Sequence, residues 1–221
     1  MSVTMHPTHN FGAMFWRPVI LYPDKVVIEQ GENSLTYAEL EQRTRQAATL
    51  FATYGIGKGD KVLLLMTNDY RFVECLFGVL RLGAIAVPVN IKLGNDALTY
   101  IADHSDAVML IAHYDLADKA QAIAESVPAI TTKLMVGGQI DTFDAFDSRL
   151  EKTAADLDTV PVDPDDVAMM MYTSGSTGRP KGCLLTHASK WWTAQSGVRA
   201  MMHVESDKAL IVGPLYHANA L

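Results

Sequence analysis

From residue 60 to residue 140, continuous apolar runs take turns with segments in which apolar side chains recur every three or four positions. Residues 62–66 are all apolar, as expected for a strand covered on both faces. The next segment, 69–82, puts Phe72, Leu76 and Val79 on one helical face and stops at Gly83. The alternation goes on with a strand over 85–89, a helix over 95–104, a strand over 107–111, a helix over 116–125 and a strand over 133–136. Upstream, 25–30 and 34–36 predict a two-stranded ribbon that turns at Gly31, Glu32 and Asn33. Thr36 and Glu39 then form a T-x-x-E capping box. It opens a helix with Tyr37, Leu40, Ala47 and Phe51 on one face, ended by Gly55. The first twenty residues read as irregular, with Phe11, Met14, Phe15 and Trp16 packing on the main body. Alternation of this kind implies an α/β fold with a mainly parallel, helix-covered sheet and right-handed crossovers.

Residues 151–166 break the pattern. They are acidic, contain Pro161 and Pro164, and offer few large apolar side chains, which marks a connector. Beyond it the expected elements are a strand over 167–173, a Gly/Ser/Thr-rich loop, a strand over 182–186, a helix over 187–203 and a strand over 209–212. Two parts are therefore expected: residues 1–160 as an N-terminal α/β subdomain, and 161–221 as the start of a second subdomain that carries the loop.

Composition narrows the class. With 221 residues, 49% hydrophobic and 19% charged, the chain can bury roughly 70% of its surface without a disulfide or metal staple. Its net charge of −7 is dispersed, and no basic stripe suits a phosphate backbone, so a nucleic-acid partner is not expected. Cys75 and Cys183 are expected to be reduced core thiols of a cytoplasmic protein. The stretch 75–91 is apolar but broken by Arg81, Gly83 and Pro88, so it reads as helix, turn and strand and not as a membrane span. The first ten residues do not read as a signal peptide.

The chemistry concentrates in Met169 to His187, MMMYTSGSTGRPKGCLLTH. Gly175, Gly178 and Gly182 permit close approach of backbone to a ligand. Thr173, Ser174, Ser176 and Thr177 bring hydroxyl donors, and Lys181 brings a compact cation. Pro180 stiffens the return into the next strand. A hydroxyl-rich, cation-ended loop held between two apolar strands suits a polyphosphate. It is neither G-x-x-x-x-G-K-[ST] nor G-x-G-x-x-G. Composition alone leaves a solvent-exposed turn as the alternative. Ordering about nine residues costs on the order of 10 kcal/mol. Charge-assisted hydrogen bonds at about 1.5–3 kcal/mol each exist only with phosphate present, so the loop is expected to order with nucleotide.

YTSGSTGRPKG, 172–182, matches the signature loop of the adenylate-forming superfamily, which includes acyl-CoA synthetases, peptide-synthetase adenylation domains and luciferases. SLTYAEL (34–40), GIGKGDKVLLLM (55–66), FGVLRLGAIAVPVN (77–90) and PLYHANAL (214–221) resemble further family segments in the same order. The chain most resembles the N-terminal part of the large domain of an acyl-CoA synthetase. The resemblance implies ATP, Mg2+ and coenzyme A, and a carboxylate that becomes first an acyl-adenylate and then a thioester. It assigns Thr173, Ser174, Gly175, Ser176, Thr177, Gly178 and Lys181 to the nucleotide phosphates, and Tyr216 and His217 to the acyl pocket. The family's main catalytic and metal-binding groups come later than Leu221, so the 221 residues alone are expected to be inactive. A domain cut there would leave apolar surface prone to self-association. Two other readings stay open: an adenylation domain that loads a carrier protein, and a non-catalytic nucleotide-binding or interaction module.

Among the remaining residues, His187 is expected to border the helix that follows it, and Trp191 and Trp192 to pack that helix. Asp165 and Asp166 are expected to be solvated, and Arg81 to be a surface charge. The histidines show no metal-ligand spacing.

Overall fold

The computed structural model describes residues 6–173 and 178–217. A short 3-10 turn, Phe11–Ala13, and helix α1 (Trp16–Leu21) lead into the antiparallel ribbon of β1 (Val26–Gln30) and β2 (Asn33–Thr36). Helix α2 (Tyr37–Thr53) starts where the capping box predicts. The Thr36 hydroxyl accepts from the Glu39 N–H at 3.2 Å, and a Glu39 carboxylate oxygen accepts from the Thr36 N–H at 2.8 Å.

The centre is a sheet with strand order β7-β6-β5-β3-β4-β8-β9 among the described residues. Its members are β3 (Lys61–Leu65), β4 (Ile85–Pro88), β5 (Ala107–His113), β6 (Thr132–Val136), β7 (Asp144–Ala145), β8 (Val167–Thr173) and β9 (Lys181–Thr186). Every pair from β7 across to β8 is parallel, and only β8–β9 is antiparallel. This is the mainly parallel sheet that the apolar runs predict.

Alternate residues of the strands feed two cores. Val62, Leu64 and Met66 face a layer formed by α2, α3 (Tyr70–Arg81), α6 (Phe146–Leu150) and α7 (His187–Ala200). Leu63 and Leu65 face α4 (Asn95–His104) and α5 (Ala117–Ser126). Each fully buried large apolar side chain contributes about 1.5–3 kcal/mol, so the two-sided burial of β3, repeated in β5 by Met109 and Ile111 on one face and Leu110 on the other, anchors the fold. The two-residue β7 and five-residue α6 are too short for periodicity to show.

Five local expectations need correction. Residues 209–212 form no strand: none of the described strands pairs with them, and Leu210, Ile211 and Val212 are exposed. Cys75 is buried as expected, but Cys183 is exposed, because β9 is an edge strand with open faces. Arg81 is 2% exposed and not a surface charge; Glu41 of α2 neutralises it, and the Thr44 and Thr159 hydroxyls accept from it at 3.1 and 2.8 Å. Trp191 is buried while its neighbour Trp192 faces solvent, one hundred degrees further around α7 in the usual helical geometry. Asp166 is paired with Lys58 at 2.7 Å, which holds its carboxyl below the usual range.

Candidate functional site

The glycine- and hydroxyl-rich loop leaves β8 and returns through β9, and Thr173 stands opposite Lys181 across the mouth of that hairpin. Both residues are exposed. Gly178 has φ = +92°, a conformation that only glycine adopts freely, and it is the last turn position before Arg179 and Pro180. Residues 174–177 lie outside the described ones, so the expected phosphate contacts of Ser174, Gly175, Ser176 and Thr177, and most of the expectation that the loop orders with nucleotide, rest on positions not described.

Parallel pairing decides where the hairpin mouth sits. β3, β4 and β8 are neighbours with a common direction, so the turns after Leu65, Pro88 and Thr173 all leave the same carboxyl edge. In open α/β sheets that edge is where ligands bind.

The turn after β3 also captures the Pro214–His217 region. The Asn68 carboxamide accepts from the Leu215 N–H at 2.8 Å and donates to the Gly213 carbonyl at 2.9 Å. Gln30, at the end of β1, fixes that turn in its own right, donating to the Asn68 carbonyl at 2.9 Å and accepting from the Tyr70 N–H at 2.8 Å. Tyr216 is 8% exposed and joins the core beneath α2 and α3. His217 is exposed, and its N–H donates to the Pro214 carbonyl at 3.0 Å. The two expected acyl-pocket residues thus point to different surroundings. The hairpin mouth and the 213–217 segment share one edge of the sheet, two strands apart in its order.

The structure adds groups that the sequence reading passed over. Tyr172, one residue before Thr173, lies over α4: its hydroxyl is 2.8 Å from His104 Nδ1, and the two rings meet edge to face at 5.9 Å. Burial, with lesser contributions from Tyr100 and Asp106, pushes the Tyr172 phenol up to about 12, so it keeps its proton at neutral pH. Arg179 sits over the ring of Tyr100 at 5.3 Å. Tyr100 and His104 are four residues apart on one helix, a spacing that places them on one face and could have flagged the pair. Gly182 completes the contact: a Cβ there would stand 3.3 Å from Met170 and from Tyr172 Cζ.

At the far end of β9, His187 is fully buried as the first residue of α7. Its Nδ1 accepts from the Phe11 N–H at 3.0 Å, tying the N-terminal segment to the hairpin's exit. Burial holds the imidazole down at about 4, so it is neutral at pH 7. Among the described residues no three His, Cys, Asp or Glu side chains converge on a common point.

The chain matches the AMP-binding enzyme family over residues 15–221. It belongs to that family. A feruloyl-CoA synthase from Amycolatopsis is 34% identical over 214 residues, which cover 96% of this chain and 41% of that protein. The long-chain-fatty-acid–CoA ligase FadD13 of Mycobacterium tuberculosis is 34% identical over 188 residues, covering 85% of this chain and 36% of that protein. Among solved structures, the anthranilate CoA ligase AuaEII in complex with anthranoyl-AMP superposes with a TM-score of 0.91 at 25% identity, over 98% of this chain and 42% of that one. The chain therefore spans about two-fifths of the length of the AMP-binding relatives it matches, and it has the fold of their N-terminal part.

Proposed function

We propose that this chain supplies the nucleotide-holding, N-terminal part of a ligase that joins a carboxylate to coenzyme A through an acyl-adenylate. The observation that carries the reading is the β8–β9 hairpin, whose mouth opens from the carboxyl edge of a parallel sheet with Thr173 facing Lys181. Membership of the AMP-binding family supports the choice of ATP as the polyphosphate.

In the first step a carboxylate oxygen attacks the α-phosphorus of ATP, the bond to the bridging oxygen breaks, and pyrophosphate leaves. In the second, the thiol sulfur of coenzyme A attacks the acyl carbon, its proton is lost, and AMP departs. The carboxylate is a poor acyl donor; the adenylate makes it a good one. The loop's part is electrostatic. The hydroxyls of Thr173, Ser174, Ser176 and Thr177, the backbone at Gly175 and Gly178, and the Lys181 ammonium hold the β- and γ-phosphates, where charge gathers as pyrophosphate leaves. Each such charge-assisted hydrogen bond contributes about 1.5–3 kcal/mol. Tyr216 and His217 border the acyl group in this reading, on the edge that Asn68 shares with the loop. In this reading Mg2+ accompanies ATP as part of that substrate.

Carboxylate-dependent exchange of labelled pyrophosphate into ATP tests the proposal. None is expected from the 221 residues alone, since the relatives are more than twice as long. Exchange is expected once the remaining part of the fold is joined to this chain in one polypeptide, and Lys181→Ala should cut it at least tenfold. Undiminished exchange in that variant would contradict the reading.

A further inference from the structure

Both stems of the loop touch the same helix. On the outgoing side the Tyr172 hydroxyl is 2.8 Å from His104 Nδ1. On the returning side the Arg179 guanidinium lies 5.3 Å from the centre of the Tyr100 ring. Tyr100 and His104 are one helical turn apart on α4, with ring centroids 5.2 Å apart, so one aromatic face meets both strands of the hairpin. α4 is otherwise a core helix: Leu98, Ile101 and Ala102 are buried against the sheet, which makes the face a rigid one. The backbone ladder of β8 and β9 ends at the Thr173–Lys181 pair. The two contacts to α4 therefore flank the end of that ladder.

We propose that Tyr100 and His104 are positioning residues for the nucleotide loop, fixing the separation and direction of its two stems so that Thr173 and Lys181 face one ligand. The inference rests on the nucleotide-binding reading for its purpose and not for its geometry. The two contacts differ in kind. His104 Nδ1 and the Tyr172 hydroxyl form a directional hydrogen bond at 2.8 Å. Arg179 on Tyr100 is a cation over an aromatic face, and a guanidinium is also a bidentate partner for phosphate oxygens. Tyr100 thus holds a cation beside the mouth of the hairpin, where an incoming polyphosphate would meet it. Tyr100→Phe keeps the ring face and should keep the function, whereas Tyr100→Ala removes it.

The test uses the whole 221-residue chain and two readouts. Without ligand, amide hydrogen exchange is followed at Thr173, Lys181 and Gly182, with strand β5 as the control for general unfolding. Tyr100→Ala and His104→Ala should each speed exchange at those amides two- to fivefold, with no change in β5. Tyr100→Phe should behave as the parent, and Arg179→Ala should reproduce Tyr100→Ala with no further effect in the double variant. With Mg-ATP, the same alanine variants should bind two- to fivefold more weakly. Unchanged exchange at the hairpin in both alanine variants, or equal acceleration in β5, would overturn the proposal. Altered exchange with no Mg-ATP binding by any form would leave the positioning intact and sink the nucleotide reading instead.

Discussion

Asn68 holds Leu215 across 147 positions of sequence: its carboxamide oxygen accepts from the Leu215 N–H at 2.8 Å, and the same side chain donates to Gly213. One exposed asparagine in the turn after β3 thereby fixes the 213–217 segment to the carboxyl edge of the sheet. Two net hydrogen bonds at about 0.5–1.5 kcal/mol each are at stake, enough to hold a segment but not to hold the fold. Asn68→Ala should leave the melting temperature within a few degrees of the parent while protease cuts the 201–217 region several times faster. Equal cleavage rates would show that Asn68 is not the clamp.

The α2–α3 crossing is set by a glycine. A Cβ on Gly78 would lie 2.7 Å from Ala47 Cβ and 3.2 Å from the Ala48 backbone nitrogen, so the helices would have to part. Gly78→Ala is expected to cost about 1–3 kcal/mol in urea unfolding. Gly57→Ala, with nothing within 4 Å of the added atom, should stay within about 0.5 kcal/mol of the parent.

Arg81 is a buried charge that joins the same helix pair, through Glu41 of α2. Burial lowers its pKa, and the neighbouring Glu41 works against that shift. Replacing it with methionine leaves Glu41 without its partner and deprives the Thr44 and Thr159 hydroxyls of a donor. Removing one member of a buried pair costs about 3–5 kcal/mol, so Arg81→Met should show a loss of that order by chemical denaturation. Arg81→Met combined with Glu41→Met should recover part of it. A loss below 1 kcal/mol would mean that the pair is not coupled to folding.

Acid should act through His187. Its folded-state pKa is about 4 because of burial, against 6.5 for the unfolded group. Between those values the unfolded chain binds the extra proton. Stability is therefore complete above about pH 6.5 and falls as the pH drops toward 4, by about 3 kcal/mol. The Phe11 contact to Nδ1 is lost on protonation, so the N-terminal segment should loosen first. His187→Gln should flatten this acid limb, and a limb of the same depth in that variant would assign it to other groups.

What could be read from the sequence follows from how local each feature is. The capping box at Thr36 and Glu39, the strand at Leu63 and Leu64 and the stop at Gly83 depend on side chains a few positions apart, and they fall where expected. The hairpin was legible because an ordered run, YTSGSTGRPKG, carries its own chemistry. What escaped is what depends on distant partners. Arg81 looks like any charge at a helix end until Glu41, Thr44 and Thr159 surround it. Residues 209–212 look like a strand because they are apolar, but a strand also needs a neighbour. Arg179 was in the motif from the outset, yet its contact with Tyr100 exists only once α4 packs under β8.

The central claim is that the groups on the β8–β9 hairpin grip a polyphosphate, and a Mg-ATP titration of the 221-residue chain beside Lys181→Ala tests it most directly. The account predicts binding by the parent chain that inorganic pyrophosphate displaces and AMP does not, with the variant at least tenfold weaker. Equal affinity in the two proteins, or displacement by AMP as readily as by pyrophosphate, would contradict it.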